Sequence, residues 1–105
     1  MPRYVFQMQL RKGELDRLLQ LNEEYADVLK RACKAIVGLH RVEKYVFEDQ
    51  YVELIDFDGE FEGFSHQLTA DPEVRQFLRS VNSCFVHPLS AMTSREMACI
   101  QTLPE

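Results

Sequence analysis

The 105-residue chain contains no run approaching the roughly 20 apolar residues that a membrane-spanning helix needs. Its start, Met1 to Leu10, alternates polar and apolar residues and lacks the continuous apolar stretch of a secretory signal. Glycine, serine and proline never gather into a linker-like or disordered segment, and no internal repeat is visible. Basic residues are the minority charge, twelve Lys and Arg against seventeen Asp and Glu, for a formal charge of -5. They are also scattered, and the one small cluster (Lys30, Arg31, Lys34) reads as the solvated end of a helix. Phosphate backbones are held by clustered cations, so no nucleic acid and no membrane is expected as a partner. The three cysteines, Cys33, Cys84 and Cys99, are odd in number and far apart, which fits neither a disulfide framework nor a metal site. Free thiols in a reducing compartment account for them most simply, which makes the expected location cytoplasmic. His40, His66 and His87 form no HxH or HExxH pattern, and no glycine-rich phosphate loop is present. Neither a metal nor a nucleotide cofactor is therefore expected.

What remains is the material of one globular domain, residues 1–105, with an ordinary 46 % of hydrophobic residues. Tyr4, Phe6, Met8 and Leu10 alternate with Arg3, Val5, Gln7 and Gln9, the two-residue period of a strand. After Lys12-Gly13 the period changes. Leu15, Leu18, Leu19, Tyr25, Ala26, Leu29, Ala32 and Cys33 recur at steps of three and four and predict one long helix, stopped at Gly38. Leu39 to Phe47 and Tyr51 to Phe57 are β-prone runs around Glu48-Asp49-Gln50, a hairpin that Asp58-Gly59 closes. Phe61, Phe64 and Leu68 mark a short helix. Asp71-Pro72-Glu73 opens another, with Asp71 as its cap and Pro72 in the first turn. Met97 to Leu103 reads as a final strand. The order is that of an α+β, ferredoxin-like β-α-β-β-α-β domain.

Helices on one face of such a sheet leave the other uncovered. In the third strand both faces are apolar, with Tyr51, Ile55 and Phe57 on one side and Val52 and Leu54 on the other. A solvated face should be polar, so a homodimer is expected, with paired sheets enclosing a pocket.

The segments Phe47-Glu48-Asp49-Gln50-Tyr51-Val52-Glu53-Leu54-Ile55-Asp56-Phe57-Asp58-Gly59 and Asp71-Pro72-Glu73-Val74-Arg75-Gln76-Phe77-Leu78-Arg79-Ser80-Val81-Asn82 resemble the SchA/CurD-like proteins of aromatic polyketide clusters. More distantly they are similar to the tetracenomycin-type polyketide cyclases. The resemblance implies a dimeric α/β barrel with a pocket inside each subunit, sized for a folded aromatic polyketide intermediate. It also implies aldol-type ring closure assisted by pocket histidines, an arginine and an aspartate. This chain departs from that set: Glu53 stands where the cyclases carry a third-strand histidine. Asp27 lies where they carry a His-Asp pair late in the first helix, and Arg41 or its neighbour is nearest their second-strand arginine.

Glu53, between Val52 and Leu54, is the candidate proton shuttle, because a carboxylate in an apolar pocket loses solvation and becomes a better acid or base for neutral pH. The alternative is an edge carboxylate paired with Lys44 or Arg41 across the hairpin. His40 and Arg41 are candidates to hold an enolate oxygen, although a regular strand turns only one of them toward any pocket. The alternative for both is surface polarity. Asp27, Tyr51, Tyr4 and His66 are candidate substrate contacts, against readings as core aromatics or solvated side chains. Three functions stay open on this fold: a polyketide cyclase, a cofactor-independent monooxygenase in which the substrate's own enolate meets oxygen, and a ligand-binding accessory dimer without turnover.

Overall fold

A computed structural model describes residues 3–87, 95–97 and 103. The elements run β1 (Arg3–Gln9), α1 (Leu15–Glu24), α2 (Ala26–Lys34), β2 (Leu39–Phe47), β3 (Gln50–Phe57), α3 (Phe61–Leu68), α4 (Pro72–Asn82) and β4 (Arg95–Met97). The strands form one antiparallel sheet in the order β2-β3-β1-β4, and the four helices match the ferredoxin-like reading of the sequence. The final strand is described only at Arg95–Met97; positions 98–102, most of the stretch expected to form it, lie outside the described residues. So does the loop through Ser90 and Thr93.

The alternation in β1 and β3 decides which way the sheet faces. Tyr4 pairs with Ile55, Phe6 with Glu53 and Met8 with Tyr51, and Tyr4, Phe6, Tyr51, Ile55 and Phe57 are buried beneath the helices. On the opposite face Val5 pairs with Leu54 and Tyr45 with Val52. Phe47 and Tyr45 on that face are 74 % and 52 % exposed. Both sides of the sheet are thus substantially apolar, and one of them carries no covering element among the described residues.

The single long helix expected from the sequence is two helices. Tyr25 separates α1 from α2 with φ -98° and ψ 12°, although Tyr25 N still donates to Leu21 O and Leu29 N to Tyr25 O. The ladder bends without breaking. Two side chains mark the bend: Asn22 Nδ2 donates to Leu18 O at 2.9 Å, a local bond that competes with the helical pattern, and the Tyr25 ring tilts onto Phe77 at 5.4 Å. The bend lets both halves contact α4. A buried cluster around Leu18, Leu21, Tyr51, Phe77 and Phe85 forms on one side, and a second around Phe6, Ile36, Ile55 and Phe64 forms on the other.

Turns hold where the sequence put them. Gly38 sits at φ 90°, and a Cβ there would meet the carbonyl oxygen of Asp58 at 3.2 Å, so glycine alone fits without strain. Asp71 caps α4, accepting from Glu73 N at 2.8 Å, with Pro72 in the first turn. Arg31 on α2 reaches the same Asp71 at 3.1 Å, which ties α2 to the start of α4 on the surface.

On the open face Arg3 grips Asp56 with two parallel bonds, Nε to Oδ1 at 2.5 Å and Nη2 to Oδ2 at 2.9 Å. This guanidinium holds the Asp56 carboxyl below the usual range, against the opposing effect of partial burial. Because the folded value is depressed, the stability it contributes is present above the unfolded value, about 3.9, and is lost as pH falls through the folded one. The melting temperature of Asp56→Asn should therefore lie below that of the native chain at neutral pH and converge with it in acid. A difference that stays constant as the pH is lowered well below the unfolded value would show that it does not come from the ionised pair.

Candidate functional site

A cavity of about 600 Å³ opens between the helices and the edge strand β2, lined from α2, α3 and α4 on one side and from β2 and Glu53 of β3 on the other. It lies inside one chain, on the helix side of the sheet. A pocket enclosed between paired sheets would need a second chain, whereas this cavity is built by one chain alone. Leu29 of α2, Phe64 and Leu68 of α3, and Val74, Phe77 and Leu78 of α4 make its walls apolar. A smaller void of about 110 Å³ lies deeper, toward Phe6, Tyr51 and Phe85, and shares Lys44, Glu53, Phe64 and Phe77 with the larger one.

Glu53 lines both spaces and is half-buried. The strand's alternation places it there, on the face of Tyr51 and Ile55. Tyr51 donates its hydroxyl to Glu53 Oε1 at 2.6 Å. Burial, then the nearby Glu53 charge, raises the Tyr51 hydroxyl far above its ordinary value, so it remains a donor. Its ring packs against Phe85 at 5.2 Å.

His40 and Arg41 both border the larger cavity, at its exposed rim with Lys30 and Lys34. Alternation should have separated them. A β-bulge between Leu39 and Arg41 removes the conflict: Leu39 pairs with Phe57 and Arg41 with Asp56, leaving His40 as the extra residue. His40 Nε2 lies 2.8 Å from Asp58 Oδ2. Arg41 pairs across the sheet's open side, and its Nη1 reaches Glu43 Oε1 at 3.5 Å, so it meets the cavity only at the edge of β2.

The remaining candidates lie elsewhere. Asp27 is exposed in the first turn of α2 and lines neither space. Tyr4 is 8 % exposed, donates its hydroxyl to Gly59 O at 2.6 Å and stacks edgewise on Phe61; it is a core residue with a satisfied hydroxyl. His66 is exposed on α3, outside both spaces. His87 is exposed beyond α4.

Lys44 was considered in the sequence only as a partner for Glu53, and the two are cross-strand neighbours. In the structure it lines both spaces. Its Nζ donates to Asn22 Oδ1 at 2.8 Å and lies 5.0 Å from the centre of the Phe77 ring. The side chain as a whole keeps substantial solvent contact, while Asn22 and the Phe77 ring lie close to the ammonium itself. Burial therefore lowers its pKa, while Glu53 and then Cys33 act in the opposite sense. Cys33, also in the wall, is pushed up by burial, with the Lys44 charge working against it. The signal for Lys44 was available: Val42, Lys44 and Val46 alternate with Glu43, Tyr45 and Phe47, so placing Val42 against the helices places Lys44 there too. Among the described residues no three His, Cys, Asp or Glu side chains gather as a metal site, and no helix is long and apolar enough to cross a membrane.

No protein-family model and no curated protein sequence matches the chain. Solved structures do. A protein from Bordetella bronchiseptica provisionally named an antibiotic biosynthesis monooxygenase superposes with a TM-score of 0.68 at 12 % identity, over 95 % of this chain and 97 % of that one. A second antibiotic biosynthesis monooxygenase gives 0.65 at 12 % identity, over 96 % of this chain and 100 % of that one. An L-rhamnose mutarotase from Formosa agariphila gives 0.65 at 14 % identity, over 97 % and 98 %. At such identities the likeness is one of fold, shared alike by proteins named as monooxygenases and by one named as a mutarotase.

Proposed function

We propose that this protein is a cofactor-independent monooxygenase acting on a flat, enolisable or phenolic molecule held in the cavity. The observation that carries the reading is Glu53: a half-buried carboxylate in the wall of one cavity otherwise built largely from aliphatic and aromatic side chains. A base in such a place can take a proton from carbon or oxygen without competition from bulk water. A cavity of about 600 Å³ is within the size range of small-molecule sites. Its apolar walls suit an aromatic body better than a sugar.

The chemistry balances without a cofactor. Glu53 accepts a proton from an activated CH₂, the carbanion gives its electrons to dioxygen, and the resulting peroxide loses water to leave a carbonyl. The net change is R₂CH₂ + O₂ → R₂C=O + H₂O, with carbon oxidised and dioxygen reduced. Tyr51 holds Glu53 in place, and His40 and Arg41 sit at the mouth where an acidic or carbonyl group of the substrate would enter.

A second reading keeps the same carbanion and changes its fate: attack on a carbonyl of the same polyketide chain, which closes a ring. The resemblance of the hairpin and α4 to polyketide cyclases favours it. Both readings include a cytoplasmic homodimer joined through the open sheet face around Val52, Leu54, Tyr45 and Phe47, and a single-chain mass by light scattering would remove that part. An oxygen electrode separates the chemistries. With an anthrone as substrate, the monooxygenase consumes one dioxygen per quinone formed. Oxygen uptake no faster than the uncatalysed oxidation of the anthrone would overturn it in favour of ring closure or an accessory role.

A further inference from the structure

Beyond the proton acceptor, we infer that Lys44 is the residue that receives the substrate's oxyanion, which restricts the substrate to molecules that carry negative charge on an oxygen once Glu53 has taken a proton. The inference rests on the reading of Glu53 as base and deepens it.

The geometry comes from three elements. Strand pairing sets Lys44 directly beside Glu53 across the β2–β3 ladder, so a cation and a carboxylate share one wall. Asn22, at the bend between α1 and α2, accepts one of the ammonium's hydrogens at 2.8 Å. Phe77 lies beneath it at 5.0 Å. An ammonium has three donors, so these contacts fix its position and leave donor capacity directed at the cavity. His40 and Arg41, the residues the sequence offered for this role, are engaged with Asp58 and Glu43 at the rim. Lys44 alone among these cations reaches the deeper space as well.

The charged surroundings favour an anionic oxygen at this place. From β3 Lys44 faces Glu53, and from α2 it faces Cys33, whose thiol burial keeps protonated. Lys30, Lys34, His40 and Arg41 lie farther out on the rim, and α3 and α4 contribute apolar lining. When a neutral phenol or enol enters, its proton passes to Glu53 and the new oxyanion meets Lys44. The O–H bond breaks, a carboxyl O–H forms, and the charge moves from carboxylate to substrate oxygen beside the cation. Such an oxyanion in a poorly solvated site is stabilised far more than in water. Burial also makes the Lys44 ammonium more acidic than a surface lysine, hence a stronger donor.

The probe is 4-nitro-1-naphthol, a flat phenol whose anion absorbs visible light. On binding the native chain, its acidity should rise about tenfold or more, read as phenolate formed at a pH where the free probe is mostly neutral. Lys44→Met and Lys44→Gln should still bind the probe but lose that shift, while Lys44→Arg should retain part of it. Melting curves accompany each variant, so that loss of the shift is read only from chains that fold. An unchanged phenolate shift in folded Lys44→Met or Lys44→Gln would overturn the role of Lys44 and leave Glu53 as base. Binding to the native chain without any shift would do the same. Failure of the native chain to bind the probe at all would overturn the cavity reading and this inference together.

Discussion

Glu53→Gln is expected to lower turnover by about 10²- to 10⁴-fold, the usual contribution of a positioned general base, with binding of the aromatic substrate nearly unchanged. Glutamine keeps the shape of the side chain and an oxygen that accepts from Tyr51, so the local bond and the strand geometry persist. What disappears is the capacity to take a proton. Steady-state oxygen uptake together with a fluorescence titration of the same substrate checks both halves. A Glu53→Gln variant that turns over at the native rate would remove the carboxylate from the mechanism, whatever the cavity binds.

Phe77→Ala should be the most damaging core substitution near the site, costing about 3–5 kcal/mol. The ring is 5 % exposed and packs on Tyr25 at 5.4 Å. It forms a wall of both the larger and the smaller space, and it underlies the Lys44 ammonium at 5.0 Å. Truncation would merge the two spaces and remove contacts at the helix bend together. For a domain of this size the melting temperature should fall by about 12 °C or more. Leu19→Ala, on the same helical layer but 52 % exposed, is the contrast, with little expected change. Similar losses in the two variants would mean that the α1–α4 packing contributes little to stability.

The parts of the fold that local chemistry dictates could be read from the residues. Alternation of Tyr4, Phe6 and Met8 against Val5 and Gln7 fixed β1 and its faces, and the Asp71-Pro72 pair marked the start of α4. The bend at Tyr25 could not be read, because the apolar stripe and the hydrogen-bond ladder both run through it; it depends on the Asn22–Leu18 bond and on the packing of Tyr25 against the distant Phe77. Of the candidate site, the placement of Glu53 on the cavity side follows from the alternation of its strand. Its relation to Lys44 and Asn22 depended on register and on a contact between α1 and β2, which are distant in sequence. Asp27 was drawn in by the resemblance and His66 by its place on the short helix, and helix phase leaves both exposed.

The extra residue in β2 has a consequence in genetic terms. Leu39 pairs with Phe57 and Arg41 with Asp56, and from Val42 onward the ladder is regular. Loss of the single codon for His40 would thus close the ladder without shifting any later pair or turning any side chain to the other face. A deletion inside a strand is ordinarily among the least tolerated of changes, because it inverts everything beyond it. Here it would cost the contact with Asp58 and reshape one lip of the cavity while sparing the sheet. The mouth of the site can therefore vary in length between related chains by a route that leaves Lys44 and Glu53 side by side.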